Sequence, residues 1–176
     1  ILDRLRDAFC TALEGALKPL AARTLGEIGV VVDYRRGWPL EPSERDFVAW
    51  LRAGRGSDRL RGHTRLGPHR ADFILRVAGH PPGAALSRGQ QKLLVIALLL
   101  AQAELYRRRL GEACILLIDD LPAELDPGNR ARVSCALAEL DTQLFVTAIE
   151  PGLLDIAPWR ATKTFALTGG EVREMI

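Results

Sequence analysis

Apolar side chains at Leu2, Leu5, Phe9, Leu13, Ala16, Leu17 and Leu20 recur three and four residues apart, the spacing that keeps them on one face of an α-helix. The pattern predicts an amphipathic helix that ends between Pro19 and Thr24. Ile28 to Tyr34 is rich in β-branched residues and runs into Arg35-Arg36-Gly37-Trp38-Pro39, which reads as a strand leading into a turn. Ser43-Glu44-Arg45-Asp46 places an acid three residues after a serine, and Phe47, Trp50 and Leu51 continue at helical spacing, so a helix starts there. Phe73 to Ala78 reads as a second strand and Gly79 to Gly83 as a loop. Beyond Gly83 helices and strands alternate: a helix from about Arg88, a strand from Ile115 to Ile118, a helix from about Pro127 and a strand from Leu144 to Ile149. That order belongs to an α/β fold, a parallel sheet with flanking helices. No internal repeat is present.

Composition narrows the class. With 176 residues, 48% hydrophobic and 26% charged, the chain suits one globular domain or two small subdomains sharing a core, and excludes disordered and collagen-like classes. The longest strictly apolar run, Leu93 to Ala101, is nine residues, about half of the roughly 18 to 20 that span a bilayer. It reads as a buried helix, with no membrane partner. The start Ile1-Leu2-Asp3-Arg4 lacks both a Met and the progression of a signal peptide, which reads as a piece of a longer, cytoplasmic protein. Cys10, Cys114 and Cys135 are far apart and form no C-x-x-C pair, so reduced thiols are expected rather than disulfides or a zinc site. Cys114 and Cys135 read as buried packing groups.

Positive charge is uneven. Residues 1–80 hold 14 basic and 10 acidic side chains. Within them, Arg52, Arg55, Arg59, Arg61, Arg65, Arg70 and Arg76 face only Asp58 and Asp72 between positions 52 and 76. This is a candidate DNA-facing surface, since arginine contacts to phosphate supply most sequence-independent affinity. An Arg-rich solvated connector fits the same residues. Trp38 and Trp50 nearby read as core rather than as platforms for bases.

Three short motifs carry candidate chemistry. In Leu86-Ser87-Arg88-Gly89-Gln90-Gln91-Lys92, Ser87 caps the long helix and Gln90 completes a capping box. Such a start also attracts anions, because free N–H groups and the helix dipole favour phosphate, and Arg88 and Lys92 add charge. Cys114-Ile115-Leu116-Leu117-Ile118-Asp119-Asp120 is an apolar strand ending in two carboxylates, at the end of a parallel sheet where ligands bind. A magnesium ion held by one carboxylate and substrate phosphates suits that chemistry, and a solvated acidic turn suits it as well. In Glu124-Leu125-Asp126-Pro127, Asp126 is a natural N-cap with Pro127 at the first helical position.

Taken in order, these motifs resemble the second half of an ABC-type P-loop ATPase head: signature at 86–90, Walker B at 115–119 and D-loop at 124–126. The stretches Gly67-Pro68-His69-Arg70-Ala71-Asp72, 86–94, 117–126 and 143–149 are similar to the RecF family of bacterial recombination-repair ATPases. The resemblance implies that residues 1–86 end a helical arm and signature lobe, and that 87–176 form the C-terminal half of the ATPase core. It implies that Ser87, Arg88, Gly89 and Gln90 face ATP held by the opposite protomer of an ATP-dependent homodimer. Asp119 would hold Mg2+, Asp120 would orient the attacking water, and Asp126 would act across the dimer. The partners implied are single- and double-stranded DNA, as gaps or junctions, and recombination mediators such as RecR.

Two positions depart from the pattern. Asp120 stands where most ABC heads have Glu, and Thr147-Ala148 where many carry a switch His; slow hydrolysis, driving release from DNA, follows. The only lysines, Lys18, Lys92 and Lys163, follow Leu17, Gln91 and Thr162, so no Walker A Gly-Lys-Ser/Thr lies in this chain and by itself it should not hydrolyse ATP. Two alternatives stay open: a head of another ABC-type DNA-repair or chromosome-maintenance ATPase, and a nucleotide-independent adaptor that binds DNA or protein.

Overall fold

The structure, a computed structural model, describes residues 1–38, 44–140 and 142–175, and for 44–46 the backbone alone. Five helices and six strands are described: α1 Leu2–Leu25, β1 Val30–Arg35, α2 Glu44–Arg61, β2 Asp72–Val77, α3 Pro82–Ala85, α4 Arg88–Leu110, β3 Leu116–Ile118, α5 Pro127–Ala138, β4 Leu144–Val146, β5 Thr164–Thr168 and β6 Glu171–Met175. The expected capping serine, Ser43, lies outside the described residues, as does Pro39 of the expected turn. The fold is mixed α/β. Among the described residues, parallel pairing is confined to β3 and β4, with Leu117 opposite Phe145 and Ile118 opposite Val146. β1 and β2 pair antiparallel, as do β5 and β6.

The core lies where α1 packs along α4 and both meet α5. Leu13, Leu17 and Leu20 of α1 are buried against it, together with Leu93, Ala97 and Leu100 of α4 and Val133 and Leu137 of α5. The amphipathic stripe predicted for α1 is therefore buried only in its C-terminal part; Leu2, Leu5 and Phe9 are exposed. The apolar run of α4 is likewise split, since Val95 and Leu99 face outward. With Leu5, Phe9, Tyr106, Ile115 and Leu117, Leu99 lines an open apolar trough of about 1000 Å³. Nothing among the described residues covers Leu117, which stays 78% exposed.

Polar contacts from Asp3 to Arg36, Arg6 to the carbonyl of Pro68, Glu14 and Arg23 join α1 to the rest. Glu14 accepts from the backbone N–H of Val32 at 2.8 Å and from Lys18 Nζ at 2.5 Å, and these bonds hold its carboxyl below the usual carboxylate range. Arg23 pairs with Glu139, at the end of α5. Of the cysteines, Cys10 is buried, and burial raises its thiol pKa. Cys135 is exposed and Cys114 only half-buried, which corrects the expectation that both are buried. In α5 the core side is already filled by Val133, Ala136 and Leu137, so Cys135 falls on the outer face.

Candidate functional site

The start of α4 has the predicted capping box. Gln90 N–H donates to Ser87 Oγ at 3.3 Å and Ser87 N–H donates to Gln90 Oε1 at 2.9 Å, a complete capping box. Gly89 is required by a close approach: a Cβ built there would lie 2.9 Å from the carbonyl oxygen of Glu124, nearer than carbon and backbone oxygen tolerate. The 86–90 and 124–126 motifs are thus in direct contact. Arg88 is exposed.

Lys92 does not add charge toward solvent. Its ammonium donates to the carbonyls of Asp120 and Ala123, each at 2.9 Å, and so fastens the 120–124 turn onto α4. That turn needs fastening, because Asp120 (φ 45°) and Glu124 (φ 62°) both lie in the left-handed region without being glycine. Such residues cost roughly 1–2 kcal/mol each and persist where the surroundings over-determine them.

The carboxylates at the end of β3 are held from β4. Thr147 Oγ donates to Asp119 Oδ1 at 2.6 Å and accepts from the N–H of Asp120 at 2.8 Å. Asp119 is exposed and Asp120 half-buried. With one carboxylate oxygen of Asp119 engaged by Thr147, the other is open to a hard cation. Among the described residues no three His, Cys, Asp or Glu side chains come together as a metal site, so a cation at Asp119 would draw its other ligands from phosphate and water, as magnesium does. The residues fit such an ion.

Asp126 caps α5, accepting from Asn129 N–H at 2.8 Å and from Asn129 Nδ2 at 2.6 Å. With Gln90, Asn129 and Arg132 it lines a polar cavity of about 230 Å³ beside the end of α1. Ser87, Gly89, Gln90, Asp119 and Asp120 are therefore joined through contacts that run by Glu124, Lys92 and Thr147, and Asp126 shares its cavity with Gln90.

The seven arginines of the 52–76 stretch are not part of those contacts, and Arg76 pairs with Asp33 across the β1–β2 ladder. Arg52, Arg55 and Arg59 follow the three- and four-residue spacing of one exposed face of α2, and Arg61 ends the helix. None of the four forms an ion pair among the described residues, and α2 shares no extended interface with another element. Arg65 is engaged by Asp58 and Arg70 by the carbonyl of Thr64. Trp38 packs edge-on against Phe47, ring centres 5.9 Å apart, which leaves it less free to stack on a base. The 67–72 stretch, whose role the residues alone did not give, is a turn docked on the end of β1. Gly67 N–H donates to Gly37 O, His69 shares the Thr64 carbonyl with Arg70, and a Cβ at Gly37 would overlap the carbonyl oxygen of Gly67.

Comparison with known proteins identifies the family and the fold. Residues 20–170 match the family described as the RecF/RecN/SMC N terminal domain. The DNA replication and repair protein RecF of Shewanella amazonensis is 39% identical over 171 residues, 97% of this chain and 47% of that protein. Its counterpart in Pseudomonas aeruginosa is 41% identical over 152 residues, 84% of this chain and 40% of the relative. The chain thus spans about half the length of the curated relatives it matches. Among solved structures, the recombination mediator protein RecF-ATP of the RecFOR pathway superposes with a TM-score of 0.73 at 20% identity, over 98% of this chain and 46% of the other. An SmcHead bound to the C-winged helix domain of ScpA gives 0.57 at 14% identity, over 94% and 42%; these two likenesses speak for the fold. The chain belongs to the RecF/RecN/SMC N terminal domain family, and within it is similar to the RecF proteins over about half their length.

Proposed function

We propose that this chain supplies the signature, Walker B and D-loop half of an ATP-dependent DNA-repair protein that dimerises around nucleotide. The observation that carries the reading is the physical union of the three motifs: Gly89 against Glu124, Lys92 on the carbonyls of Asp120 and Ala123, and Gln90 with Asp126 around one polar cavity. A shift of the D-loop turn therefore moves the start of α4.

Bound MgATP supplies the phosphoryl group and the neutralising cation. Ser87 and the first-turn N–H groups of α4 meet the γ-phosphate of nucleotide held by the opposite protomer, with Arg88 and Gln90 beside them. Asp119 would hold the Mg2+, and Asp120 would orient the attacking water. Asp120 reaches one methylene less far than Glu, which suits slow hydrolysis and a timed release. Asp126 acts across the dimer through the D-loop. Residues 1–86 serve as the arm and signature lobe. Arg52, Arg55, Arg59 and Arg61, exposed on a helix that stands off the core, contact DNA phosphates, and Arg65 and Arg70 flank them. Recruitment of a mediator such as RecR belongs to the intact protein.

The test is sedimentation of the intact protein with and without MgATP. Wild type is expected to shift from monomer to dimer with ATP, and Ser87→Arg, which fills the place of the cross-protomer phosphate, is expected to stay monomeric. A mutant that dimerises like wild type would remove Ser87 from the nucleotide interface.

A further inference from the structure

Thr147 bonds to four successive residues at the end of β3. Its N–H donates to Ile118 O at 3.0 Å, its hydroxyl donates to Asp119 Oδ1 at 2.6 Å and accepts from Asp120 N–H at 2.8 Å, and its carbonyl accepts from Leu121 N–H at 3.2 Å. The backbone bonds continue the β3–β4 pairing. The two made by the hydroxyl do something different: one fixes the orientation of the Asp119 carboxylate, the other helps hold Asp120 in its left-handed conformation. A threonine here can serve both because a single hydroxyl both donates and accepts.

We propose that Thr147 is a positioning residue, whose hydroxyl aims the Asp119 carboxylate at the cation and sets the backbone of Asp120. The inference rests on the nucleotide reading above and assigns a role to a position where the family resemblance pointed only to a missing histidine. The hydroxyl faces the two acids, so it acts through them rather than on the phosphate. Residues that hydrogen-bond a metal-ligating group typically change metal affinity roughly 10–100-fold when removed.

The experiment uses the intact protein, with a fluorescent ATP analogue titrated at increasing Mg2+. Thr147→Val keeps the β-branched shape and the backbone bonds and removes only the hydroxyl. It is expected to raise the Mg2+ concentration for half-maximal nucleotide binding by roughly 10-fold or more, with Mg2+-free affinity unchanged. Thr147→Ser, which keeps the hydroxyl, is expected to stay within about 2-fold of wild type, far below that loss. Thr147→Ala removes the hydroxyl a second way if the valine variant fails to fold. Wild-type Mg2+ dependence in the valine or alanine variant overturns this inference alone. Absence of Mg2+-dependent binding in wild type overturns the nucleotide reading and this inference together.

Discussion

At Gly89 the absence of a side chain is what allows the carbonyl of Glu124 to approach the first turn of α4. Gly89→Ala is expected to force the 124–126 turn and the helix start apart, and an overpacked contact of this kind costs about 1–3 kcal/mol; thermal unfolding of the intact protein should show the loss. Lys92 is the complementary case, an ammonium held on two carbonyls. Lys92→Met leaves both without their charged donor and should cost about 2–3 kcal/mol, read as a lower urea midpoint. The sequence placed the capping box and the two acids correctly, because each follows from residue type and spacing alone. It could not place Lys92, whose partners are main-chain carbonyls 28 and 31 residues away, nor the hydroxyl of Thr147, whose acids are 28 and 27 residues away, just past the end of β3. Only folding brings these together.

Among the elements, α1 is joined to β1 through Glu14, and that joint is sensitive to pH. Because the fold lowers the Glu14 pKa, its stabilising contribution is fully present above the unfolded carboxylate value, about 4.3, and is lost as pH falls through the lower folded value. Glu14→Gln should therefore be less stable than wild type near neutrality, by about 1 kcal/mol, with the difference shrinking in acid; urea unfolding at several pH values checks it. α1, α4, β3 and α5 were legible because strong periodicity or capping marks them. The helix through Arg61 was harder to read, since Gly54 and Gly56 interrupt it and arginines dominate it. The β5–β6 hairpin was not anticipated, although Gly169-Gly170, both at positive φ, is the turn signal that would have found it.

On the scale of the whole molecule, an open apolar trough lies between α1, α4 and β3, with Leu99, Ile115 and Leu117 exposed along it. A contiguous open apolar surface of this kind marks a contact or an aggregation liability. The isolated 176-residue chain is expected to bind an apolar dye such as ANS, and the intact protein, whose relatives are about twice as long, to bind it less; equal dye binding would count against this view. Charge is also divided at this scale, with arginines on α2 that form no ion pair among the described residues and the acids at the end of β3, so the proposal places DNA and nucleotide in different regions. The measurement that tests the account most directly is DNA binding by the intact protein in ATP and in ADP, for wild type and Ser87→Arg. The account predicts that ATP tightens binding for wild type and leaves the mutant at its ADP level. Binding that ignores both nucleotide and mutation would contradict it, and would leave Ser87 as a helix cap and nothing more.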